Sequence, residues 1–144
     1  MAEQSSAERC PECGAPHVDG LGCREQLGQL LAWEVDDAAL RGVHFLTVAS
    51  YNLQHPAWFT DEAIAGLRQS YIDYLDRGIS IQEIRRRATA AFDGSNRVRR
   101  DAASVRLVLR PWPMTVADVY HDGQPAGAAE RVRRWAAEIR RALG

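Results

Sequence analysis

Apolar side chains recur along most of the chain at steps of three and four residues, which is the spacing of an amphipathic α-helix. The pattern is clearest near the C-terminus, where Ala128, Val132, Trp135 and Ile139 form one stripe and the arginines face away from it. The spacing predicts five longer helices and a shorter one, over residues 25–37, 43–55, 60–78, 80–92 and 126–143 and, for the shorter one, 115–120.

Polar and conformationally special residues mark the ends of these helices. Pro56 closes the second helix, because proline cannot continue one. Thr60 and Ser80 are suitable N-cap residues, and Gly78 fits a left-handed C-cap. Only residues 105–109, where apolar residues alternate with polar or smaller neighbours, predict a short strand or an extended segment. About five helices joined by short loops therefore predict an all-α helical bundle.

The start of the chain carries the most specific chemistry, a Cys-x-x-Cys-Gly sequence that runs from Cys10 through Cys13 to Gly14. Two thiolates at this spacing, followed by a glycine that permits the tight turn, are typical of a zinc knuckle. Cys23 is the natural third ligand. A disulfide is disfavoured, because the chain has three cysteines and no recognisable secretion signal. A redox pair is disfavoured, because no strand precedes the motif.

Four histidines compete for the fourth position on a tetrahedral ion: His17, His44, His55 and His121. If the first two helices form an antiparallel hairpin, each about 20 Å long, the end of the second returns to the level of Cys23. His55 stands at that end, whereas His44 stands at the far end. The predicted zinc ligands are therefore Cys10, Cys13, Cys23 and His55, with His17 or a water molecule as alternatives for the last.

The block from His44 to Pro56, with its Thr-Val, Tyr and Gln-His-Pro elements, forms a distinctive combination with the three N-terminal cysteines. This combination resembles an uncharacterised bacterial family of small proteins. The later motifs of that family match Met114 and Thr115, Asp118 and Val119, and Trp135 and Ala136. The resemblance extends over about residues 10–143. It implies a shared site, without an established activity.

Charge is unevenly distributed along the chain. All 18 basic residues are arginines, which excludes lysine-based chemistry such as Schiff-base formation. Residues 1–77 hold 12 acidic residues and 5 arginines, whereas residues 78–110 hold 8 arginines and 3 acidic residues. The arginine-rich stretch has Phe92 as its only aromatic residue, and base stacking needs aromatic side chains. A solvated surface is therefore predicted there, and nucleic acid is not expected as a partner.

The length of 144 residues fits one domain. We predict a flexible tail over residues 1–9 and a single zinc-stabilised helical domain over 10–144. No apolar run approaches the roughly 20 residues that cross a bilayer, and the polar start contains no hydrophobic secretion signal. A cytoplasmic protein without membrane contact is expected.

The predicted site points to a zinc-binding helical protein that acts as a binding or regulatory module for an unknown protein or small-molecule partner. The alternative is a zinc-dependent, hydrolase-like enzyme, in which water occupies the fourth position and His55 or His44 acts as base. Glu34 is expected to reach His44 across the hairpin. Such a pair either performs acid–base work or satisfies a half-buried imidazole, so the sequence leaves open whether the protein is an enzyme.

Overall fold

The computed structural model of the chain describes residues 8–92, 94 and 97–144, and within them it contains seven α-helices and no β-strand. The helices are α1 (Cys23–Trp33), α2 (Ala38–Arg41), α3 (His44–Leu53), α4 (Asp61–Arg77), α5 (Ile81–Ala91), α6 (Val116–Tyr120) and α7 (Ala128–Leu143). The predicted all-α fold is confirmed. None of the helices in the described part of the chain combines the length and hydrophobicity needed to cross a membrane.

The chain divides into two compact units, one formed by residues 8–54 with 108–144 and the other by residues 55–107. The single domain over residues 10–144 stays a prediction. Most of the expected tail lies outside the described residues. Glu8, at its end, accepts a hydrogen bond from the backbone N–H of His17 at 2.8 Å, so the described chain begins with an ordered contact.

The core of the first unit forms where α7 packs against α3 and α6, while α1 packs against α6. The helical stripe of α7 is buried, and Trp135 and Ile139 are fully enclosed. The apolar face of α3 is buried in the same way, at Leu46, Ala49 and Leu53. The apolar stripes that the sequence predicted on α3 and α7 are therefore buried in the core. Burial of such side chains is the main stabilising contribution to folding.

Two side-chain contacts fix the direction of α1 and α3. Glu34, directly after α1, contacts His44 at the start of α3. At the opposite ends, Cys23 lies 3.6 Å from the hydroxyl of Tyr51. The two helices therefore run antiparallel, as expected from the sequence.

The second unit contains α4 and α5, and the predicted capping residues occupy its helix ends. Thr60 accepts a hydrogen bond from the N–H of Ala63, and Ser80 accepts one from the N–H of Glu83. Gly78 ends α4 with a φ of 67°, a left-handed conformation that glycine adopts without steric cost. These contacts explain why both helices begin and end where the sequence predicted.

A buried carboxylate joins the two helices of the second unit. Asp73 of α4 is contacted by Arg87 of α5 at 2.7 Å and by Arg77 at 2.8 Å. The hydrogen bond from Arg87, followed by that from Arg77, outweighs burial and lowers the pKa of Asp73 below its usual value. The arginines therefore stabilise the ionised form of Asp73, and the Asp73–Arg87 ion pair links α4 to α5.

The structure differs from the sequence prediction around the first helix. Helix α1 begins at Cys23, two residues earlier than predicted. The side chain of Glu25 accepts a hydrogen bond from the backbone N–H of Gly22 and so caps the helix start. The helix ends at Trp33, and Val35 beyond it is 76% exposed. The sequence predicted a helix up to residue 37, so the predicted C-terminal end is wrong. The short helix α2 was missed. Its start is capped by Asp37.

Residues 105–109 have no regular secondary structure and form no strand pairing. Of the two alternatives that the sequence left open, the strand is therefore wrong. Leu107, Val108 and Leu109 are 48%, 71% and 60% exposed, and Arg106 and Arg110 flank them. The segment is thus an apolar run with an arginine at each end.

Candidate metal centre

The Cys-x-x-Cys-Gly segment folds into a tight turn around its first sulfur. The Sγ of Cys10 accepts hydrogen bonds from the backbone N–H groups of Glu12 and Cys13, both at 3.4 Å. The Sγ of Cys13 accepts one from the N–H of Ala15, also at 3.4 Å. Gly14 has a φ of 78°, which L-residues with a side chain adopt only at a cost. This turn, which we call the cysteine turn (residues 10–14), directs both sulfurs to one point and supplies N–H donors that stabilise thiolates.

Helix α1 presents Cys23 as its first residue. The loop before the helix is held by Gln26, a fully buried residue whose Nε2 donates to the carbonyls of Pro16 and Leu21 at 3.0 and 2.9 Å. Because Gln26 connects this loop to the first turn of α1, the third sulfur has a fixed position relative to the first two. Nothing in the sequence indicated this role of Gln26.

His55 follows α3 directly, and its position is set by the residue before it. The side-chain amide of Gln54 is almost fully buried. It donates to the carbonyl of Met114 at 2.8 Å and accepts from the indole N–H of Trp135 at 3.3 Å. Pro56 then begins a 3₁₀ turn. His55 is therefore held between an anchored glutamine and a proline, and it is buried.

The ligand atoms of these four side chains converge. One donor atom from each of Cys10, Cys13, Cys23 and His55 lies within 4.8 Å of the other three. The group could hold a metal ion. The sequence thus predicted which residues come together, and their binding of a metal stays a prediction.

Ionisation of the thiols and of the nearby tyrosine is unfavourable in this cluster when no cation compensates the negative charges. A hydrogen bond with Cys23, followed by burial, raises the pKa of the Cys13 thiol well above its usual value. Burial, followed by the hydrogen bond with Cys23, also raises the pKa of Tyr51. A divalent cation reverses this balance, because it deprotonates a coordinating thiol outright.

The other three histidines lie elsewhere. His17 is exposed beside Gly22, although it is nearest to the cysteines in sequence. His44 is 54% exposed, and its Nδ1 lies 2.9 Å from both carboxylate oxygens of Glu34. The expected Glu34–His44 contact is thus present. His121 is exposed, next to α7 residues that are described below.

Gln54 and Tyr51 precede His55 by one and four residues. In the structure, the Gln54 amide contacts Met114 and Trp135, and the Tyr51 hydroxyl lies beside Cys23. Gln54 therefore acts through the backbone, by anchoring the end of α3. Tyr51 is a neighbour of the sulfur cluster.

Comparison with known proteins gives one family. A model described as a family of unknown function, DUF5946, matches residues 8–144. No curated protein matches the chain significantly. No solved structure matches it significantly either.

Proposed function

Because the chain belongs to DUF5946, a family of unknown function, we propose its function from the site alone. Cys10, Cys13, Cys23 and His55 bind one zinc ion, and the ion stabilises a helical binding module. The observation that carries this proposal is the convergence of three sulfurs and one imidazole within 4.8 Å. The predicted membership of an uncharacterised family is confirmed by the family match.

The donor set favours zinc over other common ions. Three thiolates and one imidazole are soft or borderline ligands, whereas magnesium and calcium prefer oxygen. Zinc binds four such ligands tetrahedrally, with Zn–S bonds of about 2.3 Å, so neighbouring donors are roughly 3.7 Å apart. The observed limit of 4.8 Å requires only small side-chain adjustments to reach that geometry.

A structural role for the ion is supported by the number and burial of its ligands. Four protein ligands complete a tetrahedron, whereas catalytic zinc keeps one position for water or substrate. Cys13, Cys23 and His55 are all buried, which limits access of a substrate. The ion would join the cysteine turn, the start of α1 and the end of α3.

The hydrolase-like alternative has weaker support. A zinc-bound water needs a general base within hydrogen-bond reach. His44 has a carboxylate partner suited to that work, but it stands at the start of α3, and His55 follows the end of the helix. A helix of 10 residues is about 15 Å long. His44 is therefore too remote to activate water on this ion.

We expect the purified protein, produced without a metal-affinity tag, to contain about one zinc ion per chain. Elemental analysis after gel filtration measures this. A fully folded protein without bound metal would contradict the proposal.

Replacement of zinc by Co²⁺ then distinguishes the closed site from the open one. A tetrahedral site with three thiolates should give intense sulfur-to-cobalt absorption. If four protein ligands fill the site, added free imidazole should leave this spectrum unchanged. A spectrum that shifts in a saturable way would indicate an open position and favour the enzyme.

The proposal does not include nucleic acid as a partner, because six of the eight arginines in residues 78–110 contact a carboxylate or an aromatic ring of the protein. Four of these arginines pair with carboxylates, namely Arg86, Arg87, Arg97 and Arg100. Two others lie over aromatic rings, Arg99 over Phe59 at 5.1 Å and Arg110 over Trp112 at 4.3 Å. The rings of Phe59 and Trp112 are thus covered by arginines of the protein itself.

We therefore expect no measurable binding to generic duplex DNA or single-stranded RNA at physiological salt. Fluorescence anisotropy with labelled oligonucleotides measures this, and the same titration at low salt serves as a positive control for electrostatic attraction. A Kd of about 10⁻⁴–10⁻⁶ M at physiological salt, with a steep decrease in affinity as salt rises, would overturn the expectation.

A further inference from the structure

A second candidate binding site lies in the first unit, and none of the four proposed metal ligands lines it. The residues around α6 and α7 form a cavity of about 510 Å³. Its ionisable lining residues are Asp118, His121, Arg131, Arg134 and Glu138. We call it the Arg131 cavity.

Arg131 is 9% exposed, and its contacts are with neutral groups. Its Nε donates to the carbonyl of Val119 at 2.9 Å, its Nη1 to that of Ala126 at 2.6 Å, and its Nη2 to that of Gln124. A guanidinium has five N–H groups, so two remain for another acceptor. Within the described chain, no carboxylate pairs with this buried charge, and burying an unpaired charge is costly.

Arg134 adds a second positive charge to the same cavity. It stands three residues after Arg131 on α7, a spacing that brings side chains to one helix face. No ion pair or hydrogen bond involves its side chain in the described part of the chain. Burial, followed by the charge of Arg134, lowers the pKa of Arg131, as expected for neighbouring cations without an anion between them.

The two acidic residues that line the cavity are bound elsewhere. Both carboxylate oxygens of Glu138 lie 2.8 Å from Arg141. Asp118 accepts the backbone N–H of Thr115 at 2.9 Å, as part of the capping box of α6. In the described part of the chain, neither carboxylate therefore forms an ion pair with Arg131 or Arg134.

We propose that the Arg131 cavity binds the phosphate group of a small phosphorylated molecule. Two guanidiniums match the charge of a phosphate dianion, and their N–H groups suit its oxygens. The cavity volume exceeds that of a phosphate ion, so room remains for the organic part of the ligand. This proposal does not depend on the metal centre, which other residues form.

Inorganic phosphate is the probe for this site. Calorimetric titration of the full protein as purified, with ionic strength held constant by NaCl, should show saturable binding. Arg134→Gln should weaken it about tenfold or more, because a charge-assisted hydrogen bond is lost. Arg134 is a better target than Arg131, whose three carbonyl contacts also hold the fold.

Arg133→Gln is the matched control. Arg133 lies next to Arg134 on the same helix, but it pairs with Glu130 at 2.7 Å and does not line the cavity. Its replacement should leave phosphate affinity unchanged. Absence of saturable binding, or equal loss in the two variants, would overturn the proposal. Acetate that binds as tightly as phosphate would show a carboxylate site and would also overturn it.

Discussion

Replacement of Cys13 by serine should remove tight zinc binding and lower the melting temperature by about 10 °C or more. A structural zinc site contributes its binding free energy directly to folding. In a chain of this size each 1 kcal/mol of lost stability lowers Tm by roughly 2–4 °C, and loss of one zinc ligand should remove several kcal/mol. Cys13 is the most buried of the three cysteines. The serine hydroxyl in the variant would bind zinc poorly, and burial would also keep it from hydrogen bonding to water. Circular dichroism during heating measures the change.

The metal-free wild type is the control for this experiment. Treatment with a strong chelator should bring the wild type close to the Tm of the Cys13→Ser variant, and the variant itself should respond little to the chelator. If both proteins melt at the wild-type temperature, the cysteine turn is an appendage and the ion has no structural role.

Replacement of His55 by alanine should weaken zinc binding by about 100-fold or more. Replacing a residue that only orients a metal ligand usually weakens binding by about 10–100-fold. The expected loss is larger here, because His55 itself supplies a donor atom. Replacement of His17 by alanine should leave the affinity unchanged, since the structure keeps His17 exposed beside Gly22. Competition with a chromophoric chelator measures both affinities.

The pair of histidine variants also separates the open alternatives. Loss of affinity in His17→Ala alone would mean that the ligand comes from the loop before α1. Full affinity in both variants would indicate water in the fourth position and would favour the alternative of a zinc-dependent enzyme. A His55→Cys variant that recovers zinc binding would support direct ligation by residue 55, because a thiolate can replace an imidazole on zinc.

The parts of the site that the sequence predicted depend on local rules. The cysteine turn follows from cysteine spacing and Gly14. The position of His55 follows from two simple rules. Pro56 ends the second helix, and two antiparallel helices of similar length bring the end of the second back to the start of the first. The capped ends of α4 are local in the same sense, because Thr60 acts within its own first turn.

The parts that the sequence did not predict depend on contacts between distant residues. Gln54 lies 60 residues from Met114 and 81 residues from Trp135, and nothing in its neighbourhood distinguishes it from an ordinary polar helix end. Arg131 belongs to a helix face that the apolar pattern assigns to solvent, yet its guanidinium turns inward to carbonyls that follow α6. Periodicity describes where a helix is apolar, and it does not describe which long polar side chain bends back into the fold.

The exposed run from Leu107 to Leu109 bears on how the protein behaves when concentrated. Short, extended, apolar segments are where separate molecules join edge to edge and begin to aggregate. If two copies paired in antiparallel fashion about Val108, Arg106 of each would stand opposite Arg110 of the other, and like charges in that position repel. Arg106 and Arg110 therefore oppose pairing between molecules, as charged residues beside apolar segments often do. Neutral replacements at these two positions would turn the exposed apolar run into a site of self-association.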